Sequence, residues 1–381
     1  MSAQRDNSSR VVAFRVDASL EMGTGHVMRC LTLARALSQQ GVTCHFLCRD
    51  HTGHLMGAIE ANGFSVHALS NADSNGSAPQ GTGVPAHAHW LGASWQQDAE
   101  QSRSIIQDIG PDWLVVDHYA LDARWENAVL PEATRLLVID DLADRPHAAD
   151  ALLDQNLGRQ AEDYEHLVPG HCHLMIGPQY ALLRPEFAQW RPYSLERREH
   201  RRECQELSIS LGGVDKDNVT GIVLNALQQS DLPARCHVTV IMGATAPWLG
   251  SVREQAAKLP WSTEVVVNVD DMARRMANAD LAIGAAGSTS WERCCLGLPT
   301  ILLVLASNQR EVAASLERQG AAIVVPAGDI SQALPLALHT LASANALDQA
   351  SRYSACLLDG QGTSRALQVV LSGMKRSGNV E

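Results

Sequence analysis

Basic residues are in deficit in this chain. Its 381 residues include 30 Lys and Arg against 42 Asp and Glu, a net charge of −12. That balance excludes nucleic acid or an anionic membrane as the main partner, because both need a basic surface. A small anionic ligand stays open, since local donors can hold one. Aromatic residues are also scarce, at 4%. No apolar run approaches the length that spans a bilayer. Residues 1–10 form a polar leader without the apolar stretch of a signal peptide. A cytoplasmic protein is expected, and no protein partner is evident. The nine cysteines are odd in number and lack the paired spacing of a secreted disulfide framework. Most sit in apolar runs and read as reduced, buried thiols. The P-loop lysine signature and the Gly-x-Ser-x-Gly elbow are both missing.

What is present is alternation. Apolar residues make up 45% of the chain, and the length suits two domains. Short apolar runs predict strands at residues 11–16, 43–47, 113–116, 136–139, 207–211, 238–242, 264–267, 281–283 and 300–304. Many are continuously apolar, as strands buried on both faces should be. Helical patterns lie between them. Val27, Leu31, Ala34 and Leu37 share one face of the first helix, and Gly41 stands where a C-cap belongs. Strand–helix alternation implies parallel sheets covered on both faces by helices. Residues 70–91, rich in Gly, Ala, Ser, Pro and Asn, read as a mobile surface insertion. Residues 191–206 are strongly charged and read as a solvated linker. The expected organisation is one α/β domain over 11–190, a second over 207–360, a ligand cleft between them, and a C-terminal helix and tail over 361–381 that can return to the first domain.

Three glycine-containing turns follow predicted strands. The first is Gly23-Thr24-Gly25-His26-Val27-Met28-Arg29. Its glycines permit a sharp turn, and the helix start adds unpaired N–H donors beside an imidazole suited to proton transfer. The second is Gly212-Gly213-Val214-Asp215, where backbone amides can approach a phosphate. Asp215 and Asp217 resemble a metal pair but read as helix caps. The third, Gly284-Ala285-Ala286-Gly287-Ser288-Thr289-Ser290-Trp291-Glu292, sets hydroxyls at a helix start. Ser288 and Thr289 suit a diphosphate, and Glu292 suits the two hydroxyls of a ribose. Together the three turns point to a nucleotide. Val116-Asp117-His118-Tyr119 and Ile139-Asp140-Asp141 bring polar groups to strand ends, where ligands of open α/β sheets bind. Cys44, Cys48, His51 and His54 have metal-like spacing, but the cysteines fall in or beside an apolar strand. No metal and no cofactor is expected. The vicinal Cys294-Cys295 pair reads as packing.

The motifs together resemble the family of hydrolases that release UDP from UDP-2,4-diacetamido-2,4,6-trideoxy-β-L-altropyranose in pseudaminic acid biosynthesis. The matching residues are Phe14-Arg15-Val16-Asp17-Ala18-Ser19, Gly23-Thr24-Gly25-His26 with Arg29, Val116-Asp117-His118-Tyr119, Ile139-Asp140-Asp141, Leu153-Asp154-Gln155-Asn156 and Gly177-Pro178-Gln179-Tyr180. In the second half they are Ser210-Leu211-Gly212-Gly213-Val214-Asp215, Gly287-Ser288-Thr289-Ser290-Trp291-Glu292 and Ser307-Asn308-Gln309. The resemblance implies two facing Rossmann-like domains of the GT-B type. It implies water and a UDP-sugar as reactants, C–O cleavage and anomeric inversion. His26 matches the family's proton acceptor. Tyr119 and Asn308 match positions that line the sugar site, Gly25 leaves the sugar room, Gly213, Ser288, Thr289 and Glu292 fall on the UDP side, and Arg29 and Asn156 are expected to bind substrate. The leader and the insertion depart from the family pattern. A histidine base and a UDP site also serve an inverting GT-B glycosyltransferase, and a nucleotide-sugar binding protein without turnover would use the same contacts.

Overall fold

The computed structural model describes residues 10–71, 85–200, 203–306, 309–341 and 343–374. They form two units. One runs to Leu182 and takes back the chain from Gly362; the other is Leu183–Gln361.

The first unit is built on seven strands: β1 (Val11–Val16), β2 (Thr43–Arg49), β3 (Ser65–Leu69), β4 (Trp113–Asp117), β5 (Arg135–Ile139), β6 (Ala151–Asp154) and β7 (His173–Ile176). They pair in parallel in the order β3-β2-β1-β4-β5-β6-β7. Strand β1 shows why the sheet is buried on both sides. Val12, Phe14 and Val16 enter one core with Val27, Leu31 and Leu37 of the helix Gly25–Ser38. Ala13 enters the opposite core with Val116, Trp125 and Ile106. Gly41, at φ +74, follows that helix in the left-handed conformation a glycine tolerates best. The C-terminal helix Gly362–Gly373 packs in this unit, with Ala366 and Val370 in the β1 core.

The second unit has six strands: β8 (Glu206–Ser210), β9 (His237–Met242), β10 (Ser262–Val267), β11 (Leu281–Ala285), β12 (Thr300–Val304) and β13 (Ala322–Pro326). Their order is β10-β9-β8-β11-β12-β13, again parallel. Each sheet thus reverses its winding once, between β1 and β4 in the first and between β8 and β11 in the second. In open α/β sheets the ligand crevice forms at that reversal, beyond the carboxyl ends of the strands.

Two expectations change. Residues 191–199 of the segment read as a linker are helical, within Pro185–Glu199. Arg197 and Arg198 are not solvated. Buried Arg198 donates to Ala279 O (2.6 Å), Met276 O (3.0 Å) and Leu296 O (3.1 Å), and Arg197 pairs with Asp280 at 2.7 Å. Carbonyls at the ends of neighbouring helices and the Asp280 carboxylate therefore hold two arginines that patterning alone reads as surface. The unit boundary accordingly lies at Leu182 rather than near residue 190. Of the segment 70–91, residues 72–84 lie outside the described ones, and Ala88–Leu91 is a short 3-10 turn. Among the described residues no helix is long and apolar enough to cross a membrane.

Candidate active site

In the first unit the register pairs Val16 of β1 with Asp117 of β4. The turn after β1 therefore sits beside the end of β4. Gly25 is the first residue of the following helix and Thr24 its N-cap. His26 and Arg29 lie one turn apart, on the side facing Asp117. His26 Nδ1 is 2.6 Å from Asp117 Oδ1. Arg29 grips the same carboxylate with Nε to Oδ2 at 2.6 Å and Nη2 to Oδ1 at 2.7 Å. Its Nη1 reaches Asp141 Oδ2 at 2.7 Å, and the Tyr119 hydroxyl donates to that oxygen at 2.8 Å. Asn156 Nδ2 donates to the Asp141 carbonyl at 3.1 Å. The Tyr119 ring meets the His26 imidazole edge-on, with centroids 4.6 Å apart.

The electrostatics fix the proton positions. Burial opposes charge on Asp117, but Arg29 and His26 outweigh it and hold the carboxyl well below the usual carboxylate range. An ionised Asp117 only accepts, so in the 2.6 Å contact His26 Nδ1 is the donor, and Nε2 is turned away from the carboxylate. Burial opposes the Arg29 charge too, and Asp117 with Asp141 overcomes it. Burial, then the Asp141 charge, pushes the Tyr119 phenol well above its ordinary value, so it remains a donor. His118, next to these residues in sequence, is buried elsewhere, its Nε2 3.2 Å from Asp17 Oδ2.

In the second unit Ser210 of β8 pairs with Gly284 of β11. The Gly212-Gly213 turn and the Ser288-Thr289 helix start therefore flank one strand pair. Gly243 N donates to Gly213 O at 3.0 Å, and a Cβ at Gly243 would lie 2.2 Å from that oxygen. This close approach sets the turn. The N-cap of the helix Val219–Leu227 is Asn218, whose side chain accepts from Gly221 N at 3.3 Å, and not Asp215 or Asp217 as the sequence suggested; Asp215 stands before it, and its carboxylate accepts from Val219 N and Thr220 N, both at 2.9 Å. Ser288 and Thr289 are exposed at the start of the helix Thr289–Cys295, and Ser288 makes no capping bond. Buried Arg293 donates to Thr289 Oγ1 at 3.1 Å and to Ala285 O at 2.7 Å. Glu292 is half-buried, and burial pushes its carboxyl up to about 7. Asn308 lies outside the described residues.

The structure thus gathers His26, Arg29 and Tyr119 around two carboxylates, with Asn156 on the backbone carbonyl of Asp141. The sequence marked Asp117 and Asp141 as polar strand ends without a role; their position after buried β-runs was the available signal. Arg293 gave none, because its purpose appears only once β11 and the helix after it are folded together. The metal-like set does not assemble. Burial pushes the Cys44 thiol up to about 12 and the Cys48 thiol higher still, while His54 pairs with Asp50. Among the described residues no group of three His, Cys, Asp or Glu stands placed to hold a metal.

Residues 215–357 match the glycosyltransferase family 28 C-terminal domain. The chain is 26% identical over 310 residues to the UDP-2,4-diacetamido-2,4,6-trideoxy-beta-L-altropyranose hydrolase of Campylobacter jejuni, covering 81% of this chain and 97% of that one. It is 25% identical over 303 residues to the uncharacterized protein MJ1062 of Methanocaldococcus jannaschii, covering 79% of this chain and 57% of that longer protein. It therefore spans little more than half of that relative. Among solved structures, MurG of Acinetobacter baumannii superposes with a TM-score of 0.69 at 14% identity, over 96% of this chain and all of that one. The chain is therefore a two-unit α/β protein of the GT-B fold whose residues 215–357 match the glycosyltransferase family 28 C-terminal domain and which resembles a UDP-sugar hydrolase along most of its length.

Proposed function

We propose that this protein is a UDP-sugar hydrolase. Its substrate is UDP-2,4-diacetamido-2,4,6-trideoxy-β-L-altropyranose, which it cleaves to UDP and free sugar with inversion. The observation that carries this is the 2.6 Å pair of His26 and Asp117, braced by Arg29. It supports a base of fixed tautomer on a helix start at the winding reversal of the first sheet. Water gives its proton to His26 Nε2 as its oxygen bonds to the anomeric carbon. The bond from that carbon to the diphosphate oxygen breaks, and UDP leaves with the electron pair. Inversion follows because base and leaving group lie on opposite faces of the sugar. In this assignment Gly25, Arg29, Tyr119, Asn156 and Asn308 serve the sugar. Gly213 and the hydroxyls of Ser288 and Thr289 hold the diphosphate, whose departing charge they stabilise, and Glu292 takes the ribose. No metal step is needed.

His26→Ala should abolish turnover while leaving UDP affinity within about twofold, because the UDP contacts are all in the second unit. Hydrolysis in ¹⁸O-water should place the label in the free sugar and none in UDP. Wild-type turnover by the alanine variant, or label in UDP, would overturn the assignment.

The match to a glycosyltransferase family 28 C-terminal domain favours one second reading, an inverting glycosyltransferase in which an acceptor hydroxyl replaces water. UDP release at full rate without any acceptor separates the two. The binding-protein alternative predicts unchanged nucleotide sugar after incubation.

A further inference from the structure

The chain that leads into the third helix of the first unit returns to the site. Three features tie it there. His89 Nε2 lies 3.1 Å from Glu21 Oε1, in the loop that leads to Gly23. Leu91 is buried in the core with Leu47 and Trp125. Gly92 has φ +69, and a Cβ there would lie 2.6 Å from His51 Cε1, so only glycine fits. Ser94 then caps the helix Trp95–Ile109 through a capping box.

Held this way, two rings reach Tyr119. The Trp90 indole stacks on the phenol, with centroids 5.7 Å apart and planes inclined by 23°. The His87 imidazole lies 5.4 Å from the phenol and 4.4 Å from Trp90. Tyr119 is itself the ring whose edge meets His26. Trp90 and His87 are therefore one ring removed from the base. Tyr119 is buried, but Trp90 and His87 are only half-buried and keep surface to offer. Burial, with His89 and Arg145 beside it, pushes the His87 imidazole down against the pull of Asp144, so the ring is neutral at pH 7. None of these contacts is needed to activate water. In a chain with so few aromatics, Trp90 stacked on Tyr119 with the His87 ring against both makes a flat apolar surface beside polar groups, the usual build of a small-molecule subsite.

We propose that Trp90 and His87 are specificity-determining residues: they form the apolar wall of the sugar subsite beside His26 and select a hexose with methyl-bearing substituents, a deoxy carbon or N-acyl groups, over a fully hydroxylated one. This rests on the UDP-sugar assignment above. A methyl group packed on an aromatic face leaves water, whereas a hydroxyl there loses its hydrogen bonds.

The test uses Trp90→Ala, Trp90→Phe and His87→Ala in the full chain, with UDP-2,4-diacetamido-2,4,6-trideoxy-hexose, UDP-N-acetylglucosamine and UDP as probes. Turnover is measured in the wild-type background, and binding in a His26→Ala background where turnover is blocked. Trp90→Ala should raise KM and Kd for the trideoxy substrate about tenfold, the scale of removing one apolar group from a binding pocket. Its kcat should stay within about threefold, its UDP affinity should hold, and its preference over UDP-N-acetylglucosamine should shrink. Trp90→Phe should restore most of the preference, and His87→Ala should shift it in the same direction by less. Unchanged UDP affinity shows that each variant is folded. If Trp90→Ala leaves KM, Kd and preference unchanged while the wild type turns over, the wall is wrong and the hydrolase assignment stands. If kcat falls alone, Trp90 acts through Tyr119 and does not touch the sugar, which also overturns the proposal. If the wild type releases no UDP but Trp90→Ala still weakens trideoxy-sugar binding, the hydrolase assignment falls and the wall stands.

Discussion

His26 Nδ1 lies 2.6 Å from Asp117 Oδ1, and Arg29 donates to both oxygens of that carboxylate. The two contacts cannot both survive an amide. In Asp117→Asn, whichever atom becomes NH₂ meets an Arg29 donor, and an amide facing Nδ1 donates to it and moves the imidazole proton to Nε2. The lone pair then points away from water. Turnover should fall on the order of 10²- to 10⁴-fold, as when a catalytic histidine loses its orienting carboxylate. UDP affinity should change little. A KM-against-kcat split checks this, with the loss expected in kcat.

Arg29 neutralises two carboxylates at once, Asp117 at 2.6 Å and Asp141 at 2.7 Å, with its own side chain only 6% exposed. Arg29→Met removes the shared cation and leaves both acids in the interior. Breaking a buried pair from one side costs about 3–5 kcal/mol. The depressed Asp117 pKa adds a pH signature. A carboxyl held below its unfolded value stabilises the fold above that value, about pH 4. The difference in urea midpoint between wild type and variant should therefore be widest near pH 7 and narrow as pH falls through 4. Arg29→Lys should recover only part of it, because an ammonium cannot copy the fork.

What the sequence made legible divides by the length and continuity of the apolar runs. All nine strands expected from apolar runs are present; most are covered on both faces and leave unbroken apolar stretches, and the half-exposed edge strand Ser262–Val267 shows through its Val265-Val266-Val267 run. The four others lack that mark. Ser65–Leu69 and Ala322–Pro326 are edge strands, half-exposed, and the second ends in proline. Ala151–Asp154 and His173–Ile176 are four residues each, too short to show a period. His26, Arg29, Tyr119 and Asn156 were legible because motifs carried them. The Asp141 carboxylate that joins Arg29 to Tyr119 was not assigned, since its partners stand 112 and 22 positions away. Trp90 and His87 were hidden in a segment whose composition reads as surface loop.

Burial pushes the Glu292 carboxyl up to about 7. A raised acid pKa means that the unfolded chain ionises first as pH climbs. Between about pH 4.5 and 7 the folded state is thus progressively destabilised relative to the unfolded one, and above that the cost is constant. Glu292→Gln removes the titration, so its stability should fall less across this window in urea titrations. A ribose-binding role adds a second outcome. An ionised carboxylate accepts from two hydroxyls and a neutral one accepts less well, so wild-type UDP affinity should rise from pH 6 to pH 8. Glu292→Gln should bind more weakly at pH 8 and show no such rise. Parallel pH profiles for the two proteins would remove Glu292 from the ribose.

Gly284 tests the nucleotide side of the proposed site without touching a hydroxyl. A Cβ at this position would stand 2.3 Å from Arg293 Nη1. That guanidinium is buried and donates to Thr289 Oγ1 and Ala285 O, so it has no free direction in which to move. Gly284→Ala must push Arg293 off Thr289 or bend β11. Overpacking of this kind costs about 1–3 kcal/mol. If Thr289 holds the diphosphate, its hydroxyl loses its orientation as well, and UDP affinity should drop several-fold at a temperature where the variant is fully folded. Calorimetric UDP titration separates the two effects. A lower Tm with unchanged UDP affinity would mean that Arg293 supports the helix alone and that the Thr289 hydroxyl does not reach the phosphates.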